Sequence, residues 1–368
     1  MVVMLFDERP KEVRKDLYNR EKELHELKNA VNKPIILLTG MRRIGKTSVL
    51  KVFLNECTIP YALIDVRSSI RSYKSLYTIF SDILTQLNEK YVGNKLSNIL
   101  KRITGVNILG VEIALSWDIK RRVSLQTILD RINKLGKTII AIDEAQNFRG
   151  NLGGEIVSLL AHCYDYCENI TFILTGSEAG LLYDLLGINN PNSPLYGRHL
   201  EEIRLERFPK NTSINFLKKG FSEYKMNVDE NLILYAVDKL DGVVGWLTEL
   251  GSKAVKRKTL SKELIDEVAE MAVKITIEEL THFSQKYLYI VEAIAKGYSY
   301  WSEIKNYLER RVKTVIYDSE LDRSLDSLEK RGYISRIRRG EYELLDPLLK
   351  NAFTTSITES NIKRIKLS

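Results

Sequence analysis

Gly40-Met41-Arg42-Arg43-Ile44-Gly45-Lys46-Thr47 fits the pattern G-x-x-x-x-G-K-[ST] without a mismatch, and Ser48 follows it directly. Residues of these types at this spacing are suited to binding a polyphosphate. Phosphate oxygens need several convergent N–H donors, which a glycine-permitted loop feeding a helix N-terminus supplies. The Lys46 ammonium adds positive charge at the β- and γ-phosphates, and the Thr47 hydroxyl can ligate Mg2+. The natural counterpart is an apolar run, Ile139-Ile140-Ala141-Ile142, that ends in Asp143-Glu144. An acid at the carboxyl end of a buried strand next to the first one can hold the metal through its water shell, so Asp143 is assigned there. Glu144 is then placed to orient or deprotonate an attacking water, the second requirement of phosphoryl transfer to water. The competing reading of the two acids is a helix start, because Ala145-Gln146 could open a helix.

Two further side chains belong to the same chemistry. Ser177, in Thr175-Gly176-Ser177, closes an apolar run and could sense a γ-phosphate if that run lies between the loop and the acid pair. Arg198, in Pro194-Leu195-Tyr196-Gly197-Arg198, could compensate transition-state charge in the same or a neighbouring subunit. A polar strand end and a surface arginine are the plainer readings of these two.

Such residues need a rigid frame, and the sequence supplies one. Short continuous apolar runs occur at 35–39, 61–65, 138–143 and 170–175, with a weaker one at 202–205. They read as strands buried on both faces of a parallel sheet, and helical periods separate them. Residues 11–31 have a helical period that ends at Asn32-Lys33-Pro34. Between the second and third runs, Val106–Leu115 alternates about Gly110 like a small hairpin. After Pro209 the strands stop: 212–283 is helical in period, with breaks expected at Asp241-Gly242 and Gly251. Helical patterns over 284–296, 301–311 and 319–331 precede two alternating strands about Arg339-Gly340, the order of a winged helix-turn-helix.

Composition bounds the rest. In 368 residues, 44% hydrophobic and 28% charged, there is material for two or three domains and no sign of a disordered, collagen-like or mucin-like chain. The net charge of +8 favours nucleic acid only if it is concentrated. Three cysteines cannot staple this chain, and an odd count fits a reducing compartment. Cys163 and Cys167, four apart in an apolar segment, read as a helix face rather than a metal site. No apolar run is long enough for a membrane span, and Met1–Phe6 has no basic leader, so the expectation is a cytoplasmic protein without a membrane partner.

These residues resemble the archaeal-type ATPases of the STAND class, signal-transduction members of the AAA+ superfamily. The resemblance rests on Leu17-Tyr18-Asn19-Arg20-Glu21-Lys22-Glu23-Leu24, the Gly40–Thr47 loop, Ile64-Asp65-Val66-Arg67 and Ile142-Asp143-Glu144. It continues through Thr175-Gly176-Ser177, Pro194–Arg198 and Asp346-Pro347. It implies an α/β fold with an AAA+-type P-loop NTPase core and parallel sheet, then a helical lid and a C-terminal winged helix-turn-helix. The expected boundaries are 1–208 for the ATPase domain with its N-terminal helical segment, 209–283 for the lid, 284–353 for the winged helix and 354–368 for a polar tail. In the family, the segment matching Asn19-Arg20-Glu21 packs near adenine, so Asn19 and Arg20 join the nucleotide site and ATP/ADP with Mg2+ is implied. One departure stands out: in Asp241-Gly242-Val243-Val244-Gly245-Trp246-Leu247, Val244 occupies a position where the family usually has proline.

The expected function is a regulatory ATPase, in which Mg-dependent ATP hydrolysis between the α/β domain and the lid shifts the winged-helix domain to act on a protein partner or by self-association. The alternative is a DNA-binding initiator or loader resembling the origin-recognition AAA+ proteins. Its recognition-position helix carries Glu320, Asp322, Asp326 and Glu329 against Arg323 and Lys330, the wrong charge for a major groove. Arg331, Arg336, Arg338 and Arg339 near the wing, with Lys363, Arg364 and Lys366 in the tail, could instead grip phosphates.

Overall fold

A computed structural model describes residues 4–67, 73–91, 95–118, 120, 122–148 and 150–354. The tail cations Lys363, Arg364 and Lys366 lie outside them. The chain divides into two units, one comprising Pro10–Glu206 and the other Arg207 onward together with the first residues up to Arg9.

In the first unit, five apolar runs form one parallel sheet. The strands are β1 (Ile35–Thr39), β2 (Tyr61–Asp65), β5 (Thr138–Asp143), β6 (Ile170–Gly176) and β7 (Glu201–Arg204), in spatial order β2-β5-β6-β1-β7. The three central strands β5, β6 and β1 are buried along their whole length, whereas the edge strands β2 and β7 alternate. Successive side chains serve opposite cores. Ile35 and Leu37 join Ile140, Ile142, Phe172 and Leu174 on one face; Ile36 and Leu38 join Ile139, Ala141 and Ile173 on the other. Helices α3 (Tyr73–Lys90), α5 (Leu125–Asn133), α6 (Gly150–Tyr166) and α7 (Ala179–Leu186) contribute to the first face, and α1 (Glu21–Ala30) and α2 (Lys46–Glu56) to the second. The hairpin is present as β3 (Val106–Leu109) and β4 (Glu112–Leu115), following the short α4 (Lys95–Leu100).

Two sequence expectations change here. The strand of Asp143 is not beside β1, because β6 lies between them. The helical period over 11–31 yields only a turn at Arg14–Asp16 and α1, because Asn19 takes a left-handed conformation at φ +52° that interrupts the helix.

The second unit begins with α8 (Lys210–Glu223), α9 (Glu230–Leu240), α10 (Val244–Arg257) and α11 (Lys262–Phe283). Asp241-Gly242 separates α9 from α10 as expected, and Trp246 is buried in this unit. Gly251, expected as a break, lies inside α10, and its function is to leave space. A Cβ there would sit 2.3 Å from the Phe6 ring, and one at Gly220 of α8 would sit 2.2 Å from it. The N-terminal segment, expected to belong with the α/β domain, therefore packs among these helices. Phe6 meets Phe221 edge-on at 5.0 Å, Leu5 N–H donates to Glu223 at 2.8 Å, and Ser252 donates to Glu8 at 2.6 Å.

Ser284 ends α11 and caps α12 (Gln285–Ala295), which is followed by α13 (Trp301–Val312), α14 (Asp318–Lys330), β8 (Ile334–Arg338) and β9 (Glu341–Leu344). This is the winged helix-turn-helix, with Leu288, Ile304, Leu321, Leu325 and Ile334 at its centre. Ile277 and Leu280 of α11 enter the same core. So does Leu349 of α15 (Pro347–Thr354), a helix that the sequence pattern did not signal. No helix among the described residues is long and apolar enough to cross a membrane.

Candidate functional site

The loop between β1 and α2 lies at the carboxyl edge of the sheet. Gly40 takes φ +142°, and a Cβ there would fall 2.7 Å from the Leu205 carbonyl oxygen, so only glycine lets the loop leave β1 this close to the chain after β7. Arg20 holds the loop from behind. Its buried guanidinium donates to the Ile44 carbonyl at 3.1 Å and the Glu206 carbonyl at 3.0 Å, and pairs with Glu23 at 2.8 Å. Arg20 is thus engaged with loop backbone, and the left-handed Asn19 sets the turn before it. Ser48 Oγ, in the first turn of α2, accepts from Lys11 N–H at 3.1 Å.

Lys46 opens α2 and is buried. Its ammonium donates to the Gly40 carbonyl at 2.9 Å and the Met41 carbonyl at 3.0 Å. Burial lowers its pKa to about 8, against the opposing pull of Glu144 and Asp143. Phosphate would favour the charged form, so above about pH 8 binding must take up a proton. ADP affinity, measured by calorimetry from about pH 6.5 to 9.5, is expected to be flat below about 8 and then to fall by up to about tenfold per unit. A level profile to the alkaline end would contradict this.

The side chain after it reaches across the sheet. Thr47 Oγ1 donates to Asp143 Oδ2 at 2.9 Å, although a whole strand separates β1 from β5. That intervening strand contributes Thr175, whose hydroxyl donates to the other Asp143 oxygen and accepts from the Glu144 N–H at 2.9 Å. Thr175 thereby fixes both acids, and its place in the spatial order of the strands is the signal that could have found it.

Glu144 is left-handed at φ +58°, which turns its side chain back over the sheet edge. Ser177 donates to Glu144 Oε2 at 2.7 Å, and Gln146 donates to the same oxygen at 2.6 Å. Burial pushes this carboxyl up, but these hydrogen bonds and the Lys46 ammonium hold it below the ordinary glutamate value. The structure therefore brings together Lys46, Thr47, Asp143, Glu144 and Ser177, with Ser177 turned to the acid. Sequence reasoning missed Gln146, seen only as part of a helix start, and Glu178, whose carboxylate meets Arg42 of the loop at 2.5 Å. Arg43 takes φ +61° in the same loop.

Arg198 is not part of this cluster. β7 runs parallel to β1, so the residues before Glu201 lie at the strands' starting edge, roughly one strand length, about 16 Å, from the loop. There Arg198 pairs with Asp165 near the end of α6, lies over the Tyr164 ring at 5.2 Å and donates to the Pro194 carbonyl at 2.9 Å.

In the second unit, Arg336 and Arg338 of the wing have acidic partners among the described residues. Arg338 pairs with Glu341 and donates to the Tyr300 hydroxyl at 2.7 Å; Arg336 lies 3.6 Å from Glu329 and over the Tyr342 ring.

Residues 17–250 match an ATPase domain found predominantly in Archaea, and residues 282–345 match the C-terminal winged helix-turn-helix domain of MCM proteins. No curated protein matches. Among solved structures, the Walker-type ATPase PABY2304 of Pyrococcus abyssi is similar at 34% identity and a TM-score of 0.77, over 96% of this chain and 100% of that one. Cdc6p of Pyrobaculum aerophilum is 15% identical, with a TM-score of 0.47, over 97% and 98% of the two chains. Aeropyrum pernix Orc1, solved in complex with DNA, is 16% identical, with a TM-score of 0.46, over 98% of each. With nearly two-thirds of its length matched by the domain and a relative this similar end to end, the chain belongs to the archaeal ATPase family.

Proposed function

We propose that the protein is a regulatory ATPase that binds ATP, hydrolyses its β–γ phosphoanhydride with Mg2+, and passes the change to its helical and winged-helix unit. One observation carries this reading: the Thr47 hydroxyl lies 2.9 Å from Asp143 with Glu144 adjacent, which joins the loop to both acids. The hydroxyl and carboxylate are hard oxygen donors of the kind Mg2+ takes. That ion would supply charge neutralisation at the phosphates. Loop N–H groups and the Lys46 ammonium bind the phosphates, and Lys46 exchanges two carbonyl partners for phosphate oxygens. Glu144 accepts the proton of the attacking water. Ser177 and Gln146 orient its carboxylate.

Arg198, at the opposite edge of the sheet, is suited to act on nucleotide bound by a second copy. Turnover per chain should therefore rise with protein concentration, and Arg198→Ala should remove that rise while leaving ATP affinity unchanged. Turnover that is independent of concentration, with the variant equal to wild type, rejects the role.

The similarity of residues 282–345 to a winged helix, with Arg336, Arg338 and Arg339 on its hairpin, favours DNA contact as a second reading. Phosphate contacts by these arginines should give DNA affinity that falls steeply with salt, with a log–log slope of about −2 to −3. A gel-shift titration showing no complex at low salt eliminates it.

A further inference from the structure

Away from the phosphate loop, near the starts of β5 and β6, three different metal-ligating side chains converge. They are Asp130 on α5, His162 on α6 and Cys167 just beyond the end of α6. One ligand atom from each lies within 4.8 Å of the other two. His162 Nε2 is already 2.8 Å from Asp130 Oδ1. Cys167 is buried, as is Cys163 one turn earlier. The sequence spacing offered only the two cysteines, and they read as a helix face. The fold adds an imidazole beside them and a carboxylate from another helix.

We propose that Asp130, His162 and Cys167 form a binding site for one zinc-like divalent transition-metal ion. A tetrahedral ion at zinc's bond lengths needs its ligand atoms about 3.4–3.6 Å apart, so small side-chain rotations close this triad around it. Thiolate, imidazole and carboxylate together suit Zn2+ and exclude Mg2+ or Ca2+, which take all-oxygen shells. A thiolate and a carboxylate cancel the ion's two charges, so a half-buried complex carries no net charge. The site closes the end of α6, where the helix dipole favours a cation. Asp130, half exposed at 48% of its side chain, leaves an entry path. Binding releases the Cys167 thiol proton and replaces the His162–Asp130 hydrogen bond with two metal bonds. The fourth position is filled by water. The site lies across the sheet from the phosphate loop and is independent of the ATPase reading.

The test is metal binding by the full chain, purified under reducing conditions, stripped with chelator and titrated with Zn2+ alone and Co2+ alone. The expected result is one equivalent of tightly held ion. The Co2+ form should show the ultraviolet thiolate-to-cobalt charge-transfer band and the visible bands of a tetrahedral ion. Asp130→Asn, at a half-exposed position, and Cys167→Ser should each weaken binding at least about tenfold, and Cys167→Ser should remove the charge-transfer band. Wild-type protein that binds no stoichiometric ion, or binds Co2+ without a thiolate band, overturns the proposal even if a variant fails to fold. So does wild-type binding that both folded variants retain in full.

Discussion

Replacing Glu144 with Gln is expected to leave ATP affinity within about threefold of wild type while slowing turnover by about 10²–10³-fold, the usual contribution of a positioned general base. The shape of the side chain is kept, and the amide oxygen still accepts from Ser177, so the loop, Thr47 and Asp143 keep their geometry. The ability to take a proton is lost. Single-turnover hydrolysis measured beside equilibrium ATP binding separates the two effects. Undiminished turnover in E144Q would reject Glu144 as the base, and loss of binding would mean that its main role is to position Lys46. The low pKa of Glu144 adds a second readout. With its proton held below the ordinary glutamate range, the acid limb of the wild-type pH–rate profile belongs below that range too, and E144Q has no carboxyl to produce it.

Lys46→Ala should act earlier in the cycle, weakening ATP and ADP at least about 100-fold, or roughly 3 kcal/mol, because charge-assisted bonds to phosphate disappear. The variant also strands the Gly40 and Met41 carbonyls that the ammonium satisfies. A loss of stability of about 1–3 kcal/mol should accompany the loss of binding. Fluorescent-nucleotide titration together with thermal unfolding of the apo protein measures both. Wild-type affinity in a folded K46A would remove the phosphate-binding assignment, and with it the basis of the ATPase proposal.

The parts of the fold legible in the sequence were those set by local pattern. Continuous apolar runs marked β1, β5 and β6 because both faces of each strand are covered, and that pattern requires only neighbouring residues. Gly40, Lys46 and Thr47 were visible because phosphate chemistry demands them at fixed spacing. The spatial order of strands leaves no such trace: the sequence is compatible with the acid strand beside β1 and with the Ser177 strand between them, the order found, and it does not single out Thr175 as the residue that orients both acids. Gly251 differs from its expected role for a related reason. In an isolated sequence a glycine signals a break, but here it accommodates a ring from 245 residues away. Gln146 and Glu178 act through contacts made across the sheet edge, which no periodicity encodes, and Arg198 could be placed only once the direction of β7 was known.

The seat of Phe6 bears on how the chain is made. Its ring leaves the ribosome ahead of the whole Pro10–Glu206 unit, and the two glycines that receive it follow only about 10–50 s later at ordinary elongation rates. In that interval the entire Pro10–Glu206 unit has been synthesised and can fold, while an unburied Leu5-Phe6 pair remains tethered to its front. The Leu5-Phe6 pair therefore stays unburied until α10 has emerged, so the packing of the second unit is completed only after the first unit has been made.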